Sequence, residues 1–190
     1  MSLLSIIDFV VKVAPIAALV IAALGLNTWW RQIKGTDKYK VASELLLETY
    51  KVREGIGIVR SALVQYRPTD DKNVSKEMNE FYGYVETMEK RWKEVTEPVV
   101  QLSLLALKAE VHLSKEIKGE IDELMLLVRK LQVTYEQYLE VRRPDSGFSL
   151  DDDFDKEARA VLWAKPTNDN FKKELVSRIQ KIEDLTRKLL

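Results

Sequence analysis

Apolar residues follow two different rules along this chain. Up to Trp30 they run together, and beyond it they return every third or fourth position. Residues 13–30 (VAPIAALVIAALGLNTWW) contain no charge. Leu3 to Leu26 is mostly Leu, Ile, Val and Ala. At 1.5 Å per residue, about 20 such residues cross a hydrocarbon core of about 30 Å. A transmembrane helix is therefore predicted, placed either from Leu4 to Leu26 or from Val13 to Trp30. Its apolar residues cover every face, unlike the stripe of a helix packed on one core. The weak Ala23-Leu24-Gly25 cleavage-like site lacks the basic leader that a signal peptide needs. No wide charged face suits it to lying flat on a bilayer.

Past Gly35 the pattern becomes helical, with Thr36-Asp37 as the expected cap and first-turn acid. Ala42, Leu45, Val52, Ile56, Val59, Leu63 and Tyr66 share one stripe, and Pro68 stops that helix at or before Arg67. Met78, Phe81, Val85, Met88, Trp92, Val95, Val99, Leu102, Ala106, Ala109 and Leu113 form a second, with Pro98 predicting a kink rather than a break. Ser114 caps a third start, followed by Ile117, Ile121, Leu124, Val128, Leu131, Tyr135 and Tyr138. Arg143-Pro144-Asp145-Ser146-Gly147 ends it. A short helix is expected over Asp153 to Trp163. A last one, capped by Asn168 or Asp169 after Pro166, presents Phe171, Leu175, Ile179, Ile182 and Leu189.

Such narrow seams stay wet in an isolated helix. Burying one Leu or Ile is worth about 1.5–3 kcal/mol, so the seams must close on one another. Short connections favour antiparallel neighbours. The expected fold is all-α, a transmembrane anchor with a juxtamembrane basic segment over 1–35 and an elongated antiparallel bundle of three to four helices over 36–190. Leu46, Leu47, Tyr50, Tyr84, Leu104, Leu105, Leu126 and Leu127 lie off the main stripes. They complete the core or offer a surface to further subunits.

Charge refines the picture. Trp29 and Trp30 suit an interfacial aromatic belt, and Arg31 and Lys34 follow as anchors, then Lys38 and Lys40. The N-terminal flank has only Lys12 and the terminal amine, so the positive-inside rule puts the N-terminus outside and the bundle in the cytoplasm. Asp8 and Lys12, spaced i and i+4, share a face and can pair. They either snorkel at the interface or face a pore or neighbouring copies. Overall, 30 Lys and Arg balance 30 Asp and Glu, without the basic excess of a nucleic-acid binder.

Catalytic motifs are missing. There is no cysteine, which removes disulfides, thiol catalysis and cysteine-based metal sites. His112 is the only histidine, so neither a zinc site nor a helical di-iron site can be assembled from imidazoles. Asp151-Asp152-Asp153-Phe154-Asp155 lacks the EF-hand glycine and glutamate and reads as a capping loop. Gly55-Ile56-Gly57 sits in a helical stripe, not after a strand, and suits close helix approach or a bend. No catalytic residue, cofactor or metal is expected.

Thr28-Trp29-Trp30-Arg31-Gln32-Ile33-Lys34-Gly35-Thr36-Asp37-Lys38-Tyr39, continuing through Leu46, Tyr50, Lys51, Val52 and Arg53, resembles a group of uncharacterised bacterial single-pass membrane proteins. Weaker echoes are Arg91-Trp92-Lys93, Ala109-Glu110-Val111 and Val161-Leu162-Trp163. The resemblance implies an N-terminal transmembrane helix and a cytosolic helical domain in the bacterial inner membrane, and transfers no activity. The expected function is a membrane-anchored scaffold that self-associates or binds another protein. The alternative is an oligomeric channel or membrane-perturbing effector built from the N-terminal helices.

Overall fold

The computed structural model describes residues 3–147, 151–165 and 167–189, with side chains from Ala18 onward. Five helices follow in order: α1 (Leu3–Val59), α2 (Lys76–His112), α3 (Lys115–Arg142), α4 (Asp152–Leu162) and α5 (Asn170–Arg187). No strand occurs among the described residues. The chain divides into two compact units, Met1–Lys40 and Val41–Leu190.

One boundary departs from expectation. Helix α1 runs through Gly35 without interruption, so Thr36 and Asp37 do not start a helix. Thr36 Oγ1 instead donates to Gln32 O one turn back, at 2.9 Å. A single glycine costs a helix about 1 kcal/mol, too little to break a run of good formers on both sides. At the other end α1 stops at Val59, earlier than the stripe suggests. Leu63 and Tyr66 are exposed in the following loop and do not join the core.

Within Val41–Leu190 the seams close as amphipathic spacing requires. Leu45, Val52 and Ile56 of α1, Val95 and Leu102 of α2, Ile117, Ile121, Leu124 and Leu131 of α3, and Ile182 of α5 are fully buried together. Partner numbers give the directions. Gly55 meets Glu94 and Val95, while Ile58 O accepts from Arg91, so α1 and α2 run antiparallel. Trp92 packs on Tyr135 with ring centroids 5.8 Å apart, opposite the Leu113-Ser114 turn that reverses the chain between α2 and α3. Tyr138 meets Trp163 at 5.1 Å and Glu120 pairs with Arg178, so α3 and α5 also oppose. The expected antiparallel bundle is present: α1, α2, α3 and α5 alternate in direction, and α4 lies in the last connection.

Ends are capped by polar side chains that satisfy first-turn N–H groups. Ser75 accepts from Met78 N, Ser114 from Ile117 N, Asp151 from Asp153 N and Asp169 from Lys172 N. The Asp151–Asp155 cluster thus works as a cap, with Asp152, Asp153 and Asp155 in the first turn of α4. Pro98 sits inside α2 without ending it. The expected α5 residue Leu189 lies beyond the helix and is exposed. Pro166 lies outside the described residues.

Two glycines mark close approaches. A Cβ at Gly55 would fall 2.5 Å from Glu94 O, so α1 and α2 touch backbone to side-chain position there. At Gly83 it would collide with Arg67 O, where the α1–α2 loop crosses α2. That loop is tied down by Asn79, whose Oδ1 accepts from Thr69 Oγ1 and Asp71 N and whose Nδ2 donates to Asp71 O. Arg91 ties the end of α1 to the following loop, donating to the carbonyls of Ile58, Ser61 and Leu63. Ile58 O also accepts from Ser61 N at 3.3 Å, so the guanidinium reinforces this end and holds the two loop carbonyls beyond it.

Candidate functional site

The first candidate is the described part of the N-terminal unit. Every residue from Ala18 to Lys40 is exposed. Leu19, Val20, Ile21, Leu24 and Leu26 expose more than half of their surface, and together with exposed Ala22 and Ala23 their spacing surrounds the helix. Water penalises that arrangement at about 25 cal/mol per Å² of apolar area. The expected interface anchors follow directly. Trp29 and Trp30 are each 55% exposed and meet edge to face at 6.4 Å. Lys34 Nζ lies 5.7 Å from the Trp30 ring centroid, and Arg31 is exposed beside it. The site is an apolar rod with a collar of indoles and cations. Among the described residues no helix is long and apolar enough to cross a membrane. The apolar run read from the sequence draws also on residues 3–17, whose side chains lie outside the described residues. Asp8 and Lys12 are among them.

A second feature lies on the outer face of α2. Val100, Leu104, Leu107 and Val111 are 51–78% exposed and recur at spacings of 4, 3 and 4. They form one stripe on the side of α2 away from Leu102, Leu105, Ala106 and Ala109. Of the off-stripe residues singled out in the sequence, Leu46, Leu105 and Leu127 complete the core, whereas Leu47, Leu104 and Leu126 are exposed. His112 ends α2 on the exposed side.

The third is a cleft of about 450 Å³ between α2 and α3. Val85, Val95, Val99, Val128 and Leu139 form its walls, and Glu89, Lys93, Gln132 and Glu136 its rim. Trp92 and Tyr135, their rings packed on each other, both line it. Trp92 Nε1 and Tyr135 Oη are buried without a hydrogen-bond partner. Each such group costs about 1–3 kcal/mol. Burial pushes the Tyr135 phenol well above its usual range, and Tyr84 and Glu89 add to this, so it stays protonated. Sequence reasoning placed both aromatics on core stripes; the unpaired polar atoms depend on how the two helices meet.

Arg60 and Asp169 form a fourth feature, absent from the sequence reading. Their side chains are 3% and 5% exposed. The guanidinium grips the carboxylate through both ends, Nη2 to Oδ1 at 2.9 Å and Nη1 to Oδ2 at 3.1 Å. Nε donates to Val161 O at 2.7 Å and Nη2 to Trp163 O at 3.2 Å. Phe171 lies under the cation, 4.5 Å from its ring centroid. Asp169 also accepts from Lys172 N and Lys165 N. Burial pushes its pKa up, but the Arg60 and backbone hydrogen bonds outweigh this and hold it below the ordinary carboxylate range. Each hydrogen-bonding end of the pair is used internally, which marks a structural clasp between the end of α1 and the α4–α5 junction.

Among the described residues no group of three or more His, Cys, Asp or Glu is placed to hold a metal ion. Set against known proteins, the chain matches no family model, no curated protein and no solved structure.

Proposed function

We propose that this chain is a membrane-anchored helical interaction module that self-associates, held in the bilayer by its N-terminal helix with the bundle on the cytoplasmic side. The observation that supports anchoring is the exposed all-round apolar surface from Leu19 to Leu26, followed at once by Trp29, Trp30, Arg31 and Lys34. Lipid is the solvent in which that surface costs nothing, and indoles with cations favour the headgroup level. The excess of cations after the apolar run supports the orientation.

Self-association is supported by the Val100–Leu104–Leu107–Val111 stripe. Its exposed residues can meet the same stripe of a second copy, each opposite its own counterpart. A two-fold interface is self-complementary in this way.

Fractionation tests the anchor. The full chain is expected in the membrane pellet, resisting alkaline carbonate and released by detergent. Leu19→Lys with Leu24→Lys places two charges at about 2.5–3.5 kcal/mol each in the hydrocarbon and is expected to move the chain out of the pellet. Recovery of the unaltered chain as a soluble species without detergent rules the anchor out. Native mass spectrometry in mild detergent tests association. A dimer or higher oligomer is expected, falling to monomer in Leu104→Lys with Leu107→Lys. A monomer of the unaltered chain rules self-association out.

A further inference from the structure

We propose that the cleft between α2 and α3 binds a neutral, largely apolar molecule bearing one acceptor oxygen, such as a ketone or ester carbonyl. Among the described residues three buried side-chain polar atoms have no hydrogen-bond partner: Trp92 Nε1, Tyr135 Oη and Asp155 Oδ1. The Asp155 carboxylate is engaged through its other oxygen, which accepts from Arg159 at 2.5 Å. The remaining two belong to side chains that line this one cleft from facing helices. Native interiors seldom leave such groups unmet, and a pair of them on side chains that line a ligand-sized space points to a partner brought from outside, reached when the Trp92 ring moves aside.

The chemistry of the two groups selects the partner. An indole nitrogen only donates, and a phenol kept protonated donates readily, so they match an acceptor. The walls, built from valines, Leu139 and the two aromatic rings, match an apolar body. At the rim Glu89 and Glu136 outnumber Lys93, which disfavours an anion such as a free carboxylate. A cation would meet indole and phenol hydrogens at the site's interior. A neutral carbonyl compound satisfies all of these conditions. The volume of about 450 Å³ falls in the range of small-molecule sites, about 300–1,000 Å³. Trp92 is only partly buried, so its ring can shift to admit the molecule.

The test uses the full chain in detergent micelles with ¹⁵N-labelled indoles, titrated with α-tetralone and with tetralin, which has the same carbon frame and no carbonyl. The Trp92 indole N–H signal is expected to shift and saturate with α-tetralone. Tetralin is expected to bind about tenfold more weakly, the worth of one hydrogen bond at the upper end of its usual range. Tyr135→Phe removes only the unpartnered hydroxyl, so folding is retained. It is expected to weaken α-tetralone several-fold and leave tetralin unchanged. Equal binding of the two compounds, an indole signal that does not move up to the solubility limit, or unaltered α-tetralone affinity in Tyr135→Phe overturns the proposal. The comparison of the two compounds on the unaltered chain decides the matter even without the variant.

Discussion

Asp169→Ala is expected to lower the stability of the bundle by about 3–5 kcal/mol, because it strands a buried guanidinium. Arg60 is 3% exposed and spends its donors on Asp169 and on carbonyls of the α4–α5 junction. Without the carboxylate the cation keeps those carbonyls and loses its counter-charge. The same substitution removes the cap of α5, a further loss of about 1 kcal/mol. For a domain with about 5–15 kcal/mol in hand, the combined loss is a large share. Arg60→Lys is also expected to destabilise, since an ammonium cannot reproduce the two-pronged grip. The double variant Arg60→Met with Asp169→Ala is expected to cost less than the sum of the single changes, because neither charge is then left alone. Urea unfolding followed by helical circular dichroism measures all of these, and additive costs would show that the clasp does not couple the two residues.

The clasp also sets a pH dependence. The Asp169 carboxyl is held below its ordinary range in the folded chain. Its contribution is therefore full above the unfolded value of about 3.9 and is lost as pH falls through the folded value. Stability should decline in acid below about pH 4, and Asp169→Asn should flatten that decline. An unchanged acid limb in Asp169→Asn would show that other carboxylates govern it.

The second large effect separates two glycines two residues apart. Gly55→Ala is expected to destabilise by about 1–3 kcal/mol, the usual cost of forcing atoms into a packed contact. Its Cβ would lie 2.5 Å from Glu94 O and 2.9 Å from Glu94 C, so backbone rather than a flexible side chain must yield. Gly57→Ala meets nothing within 4 Å and should stabilise by about 0.5–1 kcal/mol through helix propensity alone. Thermal unfolding of the two variants side by side should move the midpoint in opposite directions. A gain in both would mean that α1 and α2 do not approach at Gly55.

Much of the bundle was legible because burial repeats along a helix. Leu45, Val52 and Ile56, then Val95 and Leu102, then Ile121, Leu124, Val128 and Leu131, could be assigned inward from spacing alone, and all are buried. Caps were legible for the same local reason: Ser114, and Asp169 of the pair Asn168 or Asp169, satisfy N–H groups three residues away. Gly35 misled because a glycine is a weak breaker when both flanks favour helix, and its effect depends on a competing turn that does not form. Leu63 kept the stripe's phase past the helix end, since periodicity cannot see that Arg91, from another helix, holds the carbonyls of Ser61 and Leu63 just beyond α1.

Sequence alone determined what each stretch is within itself. It set the apolar run with its Trp29-Trp30-Arg31 collar, the amphipathic stripes, the capping residues and the lack of thiols and paired histidines. Only tertiary structure decided which residues meet across long separations. It joined Arg60 to Asp169, set Gly55 against Glu94, left the Val100–Val111 stripe uncovered, and placed Trp92 and Tyr135 in one cleft with their polar atoms unpaired. Helical periodicity and caps are local, acting over a few residues, whereas burial of a charge or a hydroxyl depends on the neighbour that packing brings to it.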